Sequence, residues 1–351
     1  MIWLITSACP NRCGYCVVGT HRAGASESPF GAADGPPPDP LRVAGEIVQA
    51  GFSDVIFAGG EPLLEPRLAE VAGALQGGTR LAAFTGGAPG DPDRLVARLD
   101  GISRIVLSLD AADPTLNDTL RGRVGATKDL LAVADAIRRH HPRMGISFNT
   151  VVSRSNVETL GEVWAGIRRF DPDSWSLTLV GDNGTFQPGD SLPDRAQVER
   201  FYRRIVPVLA ARMGRAELVV LPVPYPLLLR GLPPLHWAEP EPSLDAELAA
   251  EFDRIACGDH NRTFVTRHGC PLAGTDVTIG PSGLVWPCSQ APILQSQYAI
   301  GDLRQEGLGA ILAGEPLRAF RERLPHPPCF RCWAPSNVPR KDLARILCRS
   351  R

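Results

Sequence analysis

The sequence predicts an α/β protein: a partial (β/α)6 barrel of the TIM type, then a small C-terminal α+β domain of a β-hairpin plus a helix. Three observations carry this. Over the first two thirds of the 351 residues, short apolar, β-branched runs alternate with stretches of helical periodicity. The intervals suit the crossovers that parallel neighbours require. Beyond a Pro-rich stretch at 221–243 the alternation stops, and two apolar runs around "GPSG" read as a hairpin. Repeated right-handed crossovers curl a parallel sheet toward a barrel, which carries its reactive groups at the strand C-terminal ends.

The expected strands are "MIWLIT" (2–6), "DVIFAG" (54–59), "RLAAFTG" (80–86), "RIVLSLD" (104–110), "GISFNTVV" (145–152) and "SWSLTLV" (174–180). Between them "LRVAGEIVQAG", "RLAEVAGALQG", "DPDRLVARLDG", "DLLAVADAIRRHH" and "VETLGEVWAGIRRF" have helical spacing, and the first three end on a Gly suited to a C-cap. Another helix is expected at about 195–213, and one more at about 307–322. The Gly/Pro-rich segment 21–40 reads as a long loop, either a flexible insertion or a lid. The expected domains are a barrel over 1–215, a Pro-rich connection and helix over 216–256, and the small domain over 257–351.

A formal net charge of −1 gives no field that would gather nucleic acid or an acidic membrane surface. Only Lys128 and Lys341 are lysines among the 37 basic residues, a bias that reads as genome composition. No apolar run approaches the roughly 18 residues of a membrane span. The start "MIWLITSACPNRC" has no signal-peptide pattern, so a cytoplasmic protein with reduced thiols is expected. Nine cysteines, an odd number, then point to metal or redox chemistry rather than to a disulfide framework.

Three of them, Cys9, Cys13 and Cys16, form C-x3-C-x2-C directly behind the first strand. Thiolates hold iron–sulfur clusters, and three of them leave one iron of a four-iron cubane open. Zinc is the alternative, but a structural zinc site wants four closed ligands, and His21 is the nearest fourth. A second set comprises Cys270, Cys288, Cys329 and Cys332, spaced C-x12-G-x4-C and then C-x2-C. By spacing alone it suits zinc or a cluster.

"CPNRCGYC" resembles the signature of the radical S-adenosylmethionine (SAM) superfamily, C-x3-C-x-aromatic-C, with Tyr15 in the aromatic slot. The resemblance implies a [4Fe–4S] cluster whose open iron is chelated by the amino and carboxylate groups of SAM. "AGGEP" (58–62) resembles the family's GGEP motif, which implies that Gly59, Gly60, Glu61 and Pro62 hold the methionine amino group. "SLDAADPTLNDTLRG" (108–122) resembles the segment beside the SAM ribose, with Ser108 and Asp110 the polar candidates. "NTVVSRSN" (149–156) matches the next position, where Asn149 would line the adenosine. A departure is "FTGG" (84–87), where many relatives carry Thr-Asn-Gly. The resemblance covers about residues 1–215.

The C-terminal cysteines resemble the SPASM/twitch extension of such enzymes. The long form continues with a cysteine five residues beyond the C-x2-C pair; here that position is Val338, which fits the shorter twitch form with one auxiliary [4Fe–4S] cluster. Cys257 stands apart and could replace a cluster ligand, donate a hydrogen atom to a substrate radical, or be a small buried hydrophobe. Cys348 reads as incidental. Asp182 and Asn183, beyond the sixth strand, are placed to reach substrate or to make a turn. His236 and Trp237 read as packing, and His140 with His141 as the end of a helix.

The resemblance implies an enzyme that reductively cleaves SAM with an electron from an external flavodoxin- or ferredoxin-type donor, then takes a hydrogen from its substrate. The cluster motif begins at residue 9, which reads as leaving no N-terminal leader-peptide domain. The expected substrate is therefore a small polar metabolite, a sugar, aminocyclitol or nucleoside intermediate of secondary metabolism, oxidised or epimerised. The alternatives are maturation of a ribosomally made peptide, and a non-enzymatic iron–sulfur or zinc regulator or scaffold.

Overall fold

The computed structural model describes residues 1–16, 36–181, 192–238, 242–270, 272–288 and 296–332. His21, Asp182, Asn183, Cys348 and most of the 21–40 loop lie outside these residues. Six strands occur where the apolar runs place them: β1 Ile2–Thr6, β2 Asp54–Gly59, β3 Arg80–Thr85, β4 Arg104–Ser108, β5 Gly145–Val152 and β6 Ser174–Leu179. Each pairs in parallel with the next. Alternate residues such as Val55, Phe57, Ile105, Leu107, Ile146, Phe148, Trp175 and Leu177 are buried in the main core. They pack there with Val43, Ala44 and Ile47 of helix α1, Pro40–Gln49, and with Val133, Ala136 and Ile137 of the later helix Ala126–His140. The opposite face of the strands is only half-buried, as at Val106, Ser108, Asn149 and Val151.

The sheet runs one strand further than the sequence reading. β7, Glu217–Leu221, pairs in parallel with β6 from Ser174↔Glu217 to Thr178↔Leu221. Five residues running straight into "PVPYP" carry too little alternation to separate a strand from the Pro-rich connection. That connection itself holds a short helix at Tyr225–Arg230 and leads into one at Pro242–Ala256. The helix expected near 195–213 is present but carries a π-turn at Phe201–Ile205, just before Pro207. Pro207 brings no N–H to the helical ladder, so a register change there is physically reasonable.

Beyond helix Arg262–His268 the hairpin forms, β8 Thr278–Ile279 and β9 Leu284–Trp286, with β10 Gly301–Asp302 on its far side. β8 pairs in parallel with β1, Ile2↔Thr278 and Trp3↔Ile279. Among the described residues the result is one ten-stranded sheet in the order β10-β9-β8-β1-β2-β3-β4-β5-β6-β7. The edge of β1 is thus occupied by the hairpin, and the barrel stays open. The helix expected at 307–322 is divided by Gly314 into Leu308–Ala313 and Glu315–Glu322. Among the described residues no helix is long and apolar enough to cross a membrane.

Candidate functional site

The first cysteine group lies where β1 ends. Cys13 is buried, and Cys9 and Cys16 are half-buried. The loop is stitched to its surroundings by backbone bonds: Cys16 N–H to Cys13 O at 3.1 Å and Arg12 N–H to Arg121 O at 2.8 Å. At its start Gly60 N–H donates to Thr6 O and Glu61 N–H to Ala8 O, both at 2.7 Å. The end of β2 therefore lies flat against the chain that leads into Cys9. The two glycines make this possible. A Cβ on Gly60 would sit 2.1 Å from Ala8 O, and one on Gly59, at φ +125°, 2.4 Å from Thr6 O.

Burial pushes the Cys9 thiol up to about 12. Cys13 is raised by burial as well, against the opposing pull of the Arg121 guanidinium. Thiols held this way are neutral near pH 7 and become thiolates only against a cationic metal centre. Three cysteines in one short, braced loop fit a cluster with one open iron.

Glu61 is buried at 1 % exposure and receives three donors. Its Oε1 accepts from Thr85 Oγ1 at 2.8 Å and from Leu63 N–H at 3.2 Å, and its Oε2 from Gly86 N–H at 2.9 Å. Burial raises its carboxyl above the usual range in spite of these bonds. Pro62 follows as the first residue of a 3-10 turn, Pro62–Leu64. Thr85 and Gly86 belong to "FTGG", so the segment that departs from the family pattern is the one that holds Glu61. A Cβ on Gly86 would lie 2.8 Å from Asn11 Nδ2, so Asn11 fills the space a side chain there would take. Arg123 Nε donates to Asn11 Oδ1 at 2.7 Å and fixes it.

Asp110, fully buried, is a hub rather than a free polar group. Its Oδ1 accepts from Val151 N–H at 2.8 Å, its Oδ2 accepts from the Tyr15 hydroxyl, and the same Oδ2 forms an ion pair with the Arg121 guanidinium, 2.9 Å from Nε. Asn117 Oδ1 holds its N–H and Asn156 Nδ2 its carbonyl, each at 2.8 Å. The carboxylate is thus committed to Tyr15 and Arg121. Arg121 Nη1 also lies 3.9 Å from Cys13 Sγ, while its Nη2 has no hydrogen-bond partner among the described residues. Ser108 and Asn149 are register partners on the half-buried face, and Asn149 Oδ1 accepts from Thr178 Oγ1 at 3.1 Å.

Sequence reading did not single out Arg121, Thr85, Asn11, Asn117 or Asn156. Arg121 stands inside the quoted 108–122 segment; its sequence distance of 108 residues from Cys13 hides the contact.

In the second cysteine group Cys288, Cys329 and Cys332 are buried and Cys270 is half-buried. Cys288 and Cys329 pack with Val265, Ala273 and Phe320, and Cys270, Tyr298 and Phe330 lie against them. Cys332 is buried beside Cys329, whose carbonyl receives the Cys332 N–H at 3.5 Å. Thr278 Oγ1 donates to Cys288 O at 3.0 Å and ties this group to β8. Burial raises the Cys270 thiol and pushes Cys329 up to about 11. Cys270, Cys288 and Cys329 share one apolar cluster, with Cys332 a turn beyond Cys329, a donor set of the kind that ligates an iron–sulfur cluster. Cys257 does not join them. It is exposed, just past helix Pro242–Ala256, and so is not the buried hydrophobe it could have been. Among the described residues no three Cys, His, Asp or Glu side chains converge as they would on one ion.

Comparison with known proteins agrees with this layout. The radical SAM superfamily model matches residues 3–163, and the model of the iron–sulfur cluster-binding SPASM domain matches 270–333. The AdoMet-dependent heme synthase of Methanosarcina barkeri is 29% identical over 307 residues, 87% of this chain and 79% of the relative. Streptococcus suis SuiB bound to precursor peptide SuiA superposes at TM-score 0.64 with 17% identity, over 95% of this chain and 69% of that one. AnSMEcpe with bound AdoMet and a Cp18Cys peptide gives 0.61 with 12% identity, over 92% and 81%. At these identities the two structures establish the fold alone. The cysteine triplet at the head of a parallel sheet, the second cysteine group and the two matching models together make the chain a member of the radical SAM superfamily with a C-terminal SPASM iron–sulfur domain.

Proposed function

We propose that the chain takes a hydrogen atom from a small metabolite, giving net oxidation or epimerisation. With its cluster, SAM and an electron from a flavodoxin- or ferredoxin-type donor, such a site supplies methionine and a 5′-deoxyadenosyl radical. Cys9, Cys13 and Cys16 would hold three irons. The observation that carries the SAM site is Arg121: a buried guanidinium beside Cys13 whose Nη2 has no hydrogen-bond partner among the described residues, which suits an anionic group such as the SAM carboxylate. Asp110 and Tyr15 hold that guanidinium in place, and Gly59, Gly60, Glu61 and Pro62 would meet the methionine amino group. Ser108 and Asn149, register partners on the half-buried face, would meet the nucleoside. Cys270, Cys288, Cys329 and Cys332 would hold one auxiliary [4Fe–4S] cluster.

The relative named as a heme synthase favours a small molecule, since its 29% identity spans 87% of this chain. The precursor peptide of SuiB favours a second reading, a peptide substrate, on fold likeness at 17% identity. Anaerobically reconstituted protein reduced with dithionite should release 5′-deoxyadenosine and methionine, and hold about eight irons. The Cys9/Cys13/Cys16→Ala protein should keep about half of that iron and release no 5′-deoxyadenosine. A metabolite that raises 5′-deoxyadenosine formation supports the first reading. Stimulation by a precursor peptide alone would replace it with the second.

A further inference from the structure

Asn261 stands at the start of helix Arg262–His268, a position where asparagine commonly caps the helix with its side chain. Here it makes no such cap. Its side chain turns instead to the Cys329–Cys332 loop. Nδ2 donates to Cys329 O at 3.0 Å and to Cys332 Sγ at 3.0 Å, and the backbone N–H donates to Phe330 O at 2.7 Å. One residue thus grips three features of the C-x2-C loop from 68 to 71 residues away in sequence. The amide orientation follows from chemistry: both neighbours are acceptors, so the NH2 must face them. Asn261 is 3 % exposed, and among the described residues its Oδ1 has no partner. A buried unpaired carbonyl is costly, and an amide kept there despite that cost points to the donor side.

We propose that Asn261 is a positioning residue that raises the reduction potential of the auxiliary cluster through its N–H···S bond to Cys332. This rests on the reading that Cys332 is a cluster ligand. Reduction adds negative charge to a cluster and its thiolates, and a donor aimed at a ligating sulfur stabilises the more negative state. The same amide, by holding Cys329 O, keeps the two cysteines of the pair in fixed relation.

The test is an EPR-monitored redox titration of the anaerobically reconstituted full chain. Asn261→Leu removes both donors at similar volume; Asn261→Asp replaces them with an acceptor that can carry charge. Each should lower the auxiliary midpoint, Asp further than Leu. The expected size for Leu is roughly tenfold in the reduction equilibrium, about 59 mV for one electron. Asn261→Gln, which keeps the amide, should recover part of the shift. Unchanged midpoints in Leu and Asp would overturn the proposal. So would loss of the auxiliary iron from both, which would make the amide a clasp only. Full iron and an unaltered auxiliary signal in Cys332→Ala would show instead that the ligand assignment fails.

Discussion

The Arg121 guanidinium lies 2.9 Å from the Asp110 carboxylate, and the two side chains are 8% and 0% exposed. They bring together the ends of two neighbouring elements, since Asp110 follows β4 and Arg121 closes helix Pro114–Arg121. Breaking a buried pair leaves a charge without compensation, which costs more than the intact pair contributes. Arg121→Met should therefore destabilise the chain by about 3–5 kcal/mol in urea unfolding. Arg121→Lys keeps a charge but not the planar fork. It should fold more stably than Arg121→Met yet bind SAM weakly in equilibrium dialysis; full SAM affinity in Arg121→Lys would remove Arg121 from the proposed site.

Gly60→Ala tests the contact between the end of β2 and the cysteine loop. Backbone atoms cannot move aside cheaply, and the added methyl would meet Ala8 O at 2.1 Å. The loop that carries Cys9 must shift. Iron analysis of reconstituted Gly60→Ala should show about half of the wild-type iron, with the SAM-dependent EPR signal gone and the auxiliary one kept.

Glu61→Gln probes the buried carboxylate. Its two oxygens accept from Thr85, Leu63 and Gly86. A glutamine must turn its NH2 toward one of the two backbone N–H groups, whichever way it is placed. The expected cost is about 1–3 kcal/mol by chemical denaturation. A variant as stable as wild type would show that the Gly86 and Leu63 bonds carry little.

His260 gives the chain an acid-sensitive point. Burial holds its imidazole down to about 4, against the raising influence of Asp259. A base depressed in the folded state binds fewer protons there than when unfolded. Its contribution is therefore complete above about pH 6.5 and is lost as pH falls through 6.5 toward 4. That loss is on the order of 3 kcal/mol. Urea midpoints of wild type should fall between about pH 7 and about pH 5, and those of His260→Phe should fall less.

Strand ends were readable because each β-branched run stops at a residue with chemistry: Thr6 before the cysteine loop, Gly59 before Glu61, Ser108 before Asp110. The cysteine triplet and its partners in "AGGEP" needed only local spacing. What stayed hidden were contacts made across the sheet. Asn11 and Gly86 are 75 residues apart, yet the amide of one takes the space beside the other. Nothing local in the sequence reveals that Val151, Tyr15 and Arg121 all meet at Asp110. β7 escaped for the opposite reason: its neighbours are prolines, which mask a strand with the signals of a linker.

The pairing of β8 with β1 joins the two cysteine groups mechanically. Ile2 N–H donates to Val277 O at 2.9 Å, and the same strand then runs on toward Cys9. Its far edge is held by β2. A strand shared in this way should open only when both neighbours let go, so the first strand and the β8–β9 hairpin belong to one cooperative unit. Filling the C-terminal cysteines with iron should then slow amide hydrogen exchange at Trp3 and Leu4, far earlier in the sequence. The first strand would sense the state of a cofactor held by cysteines far along the sequence.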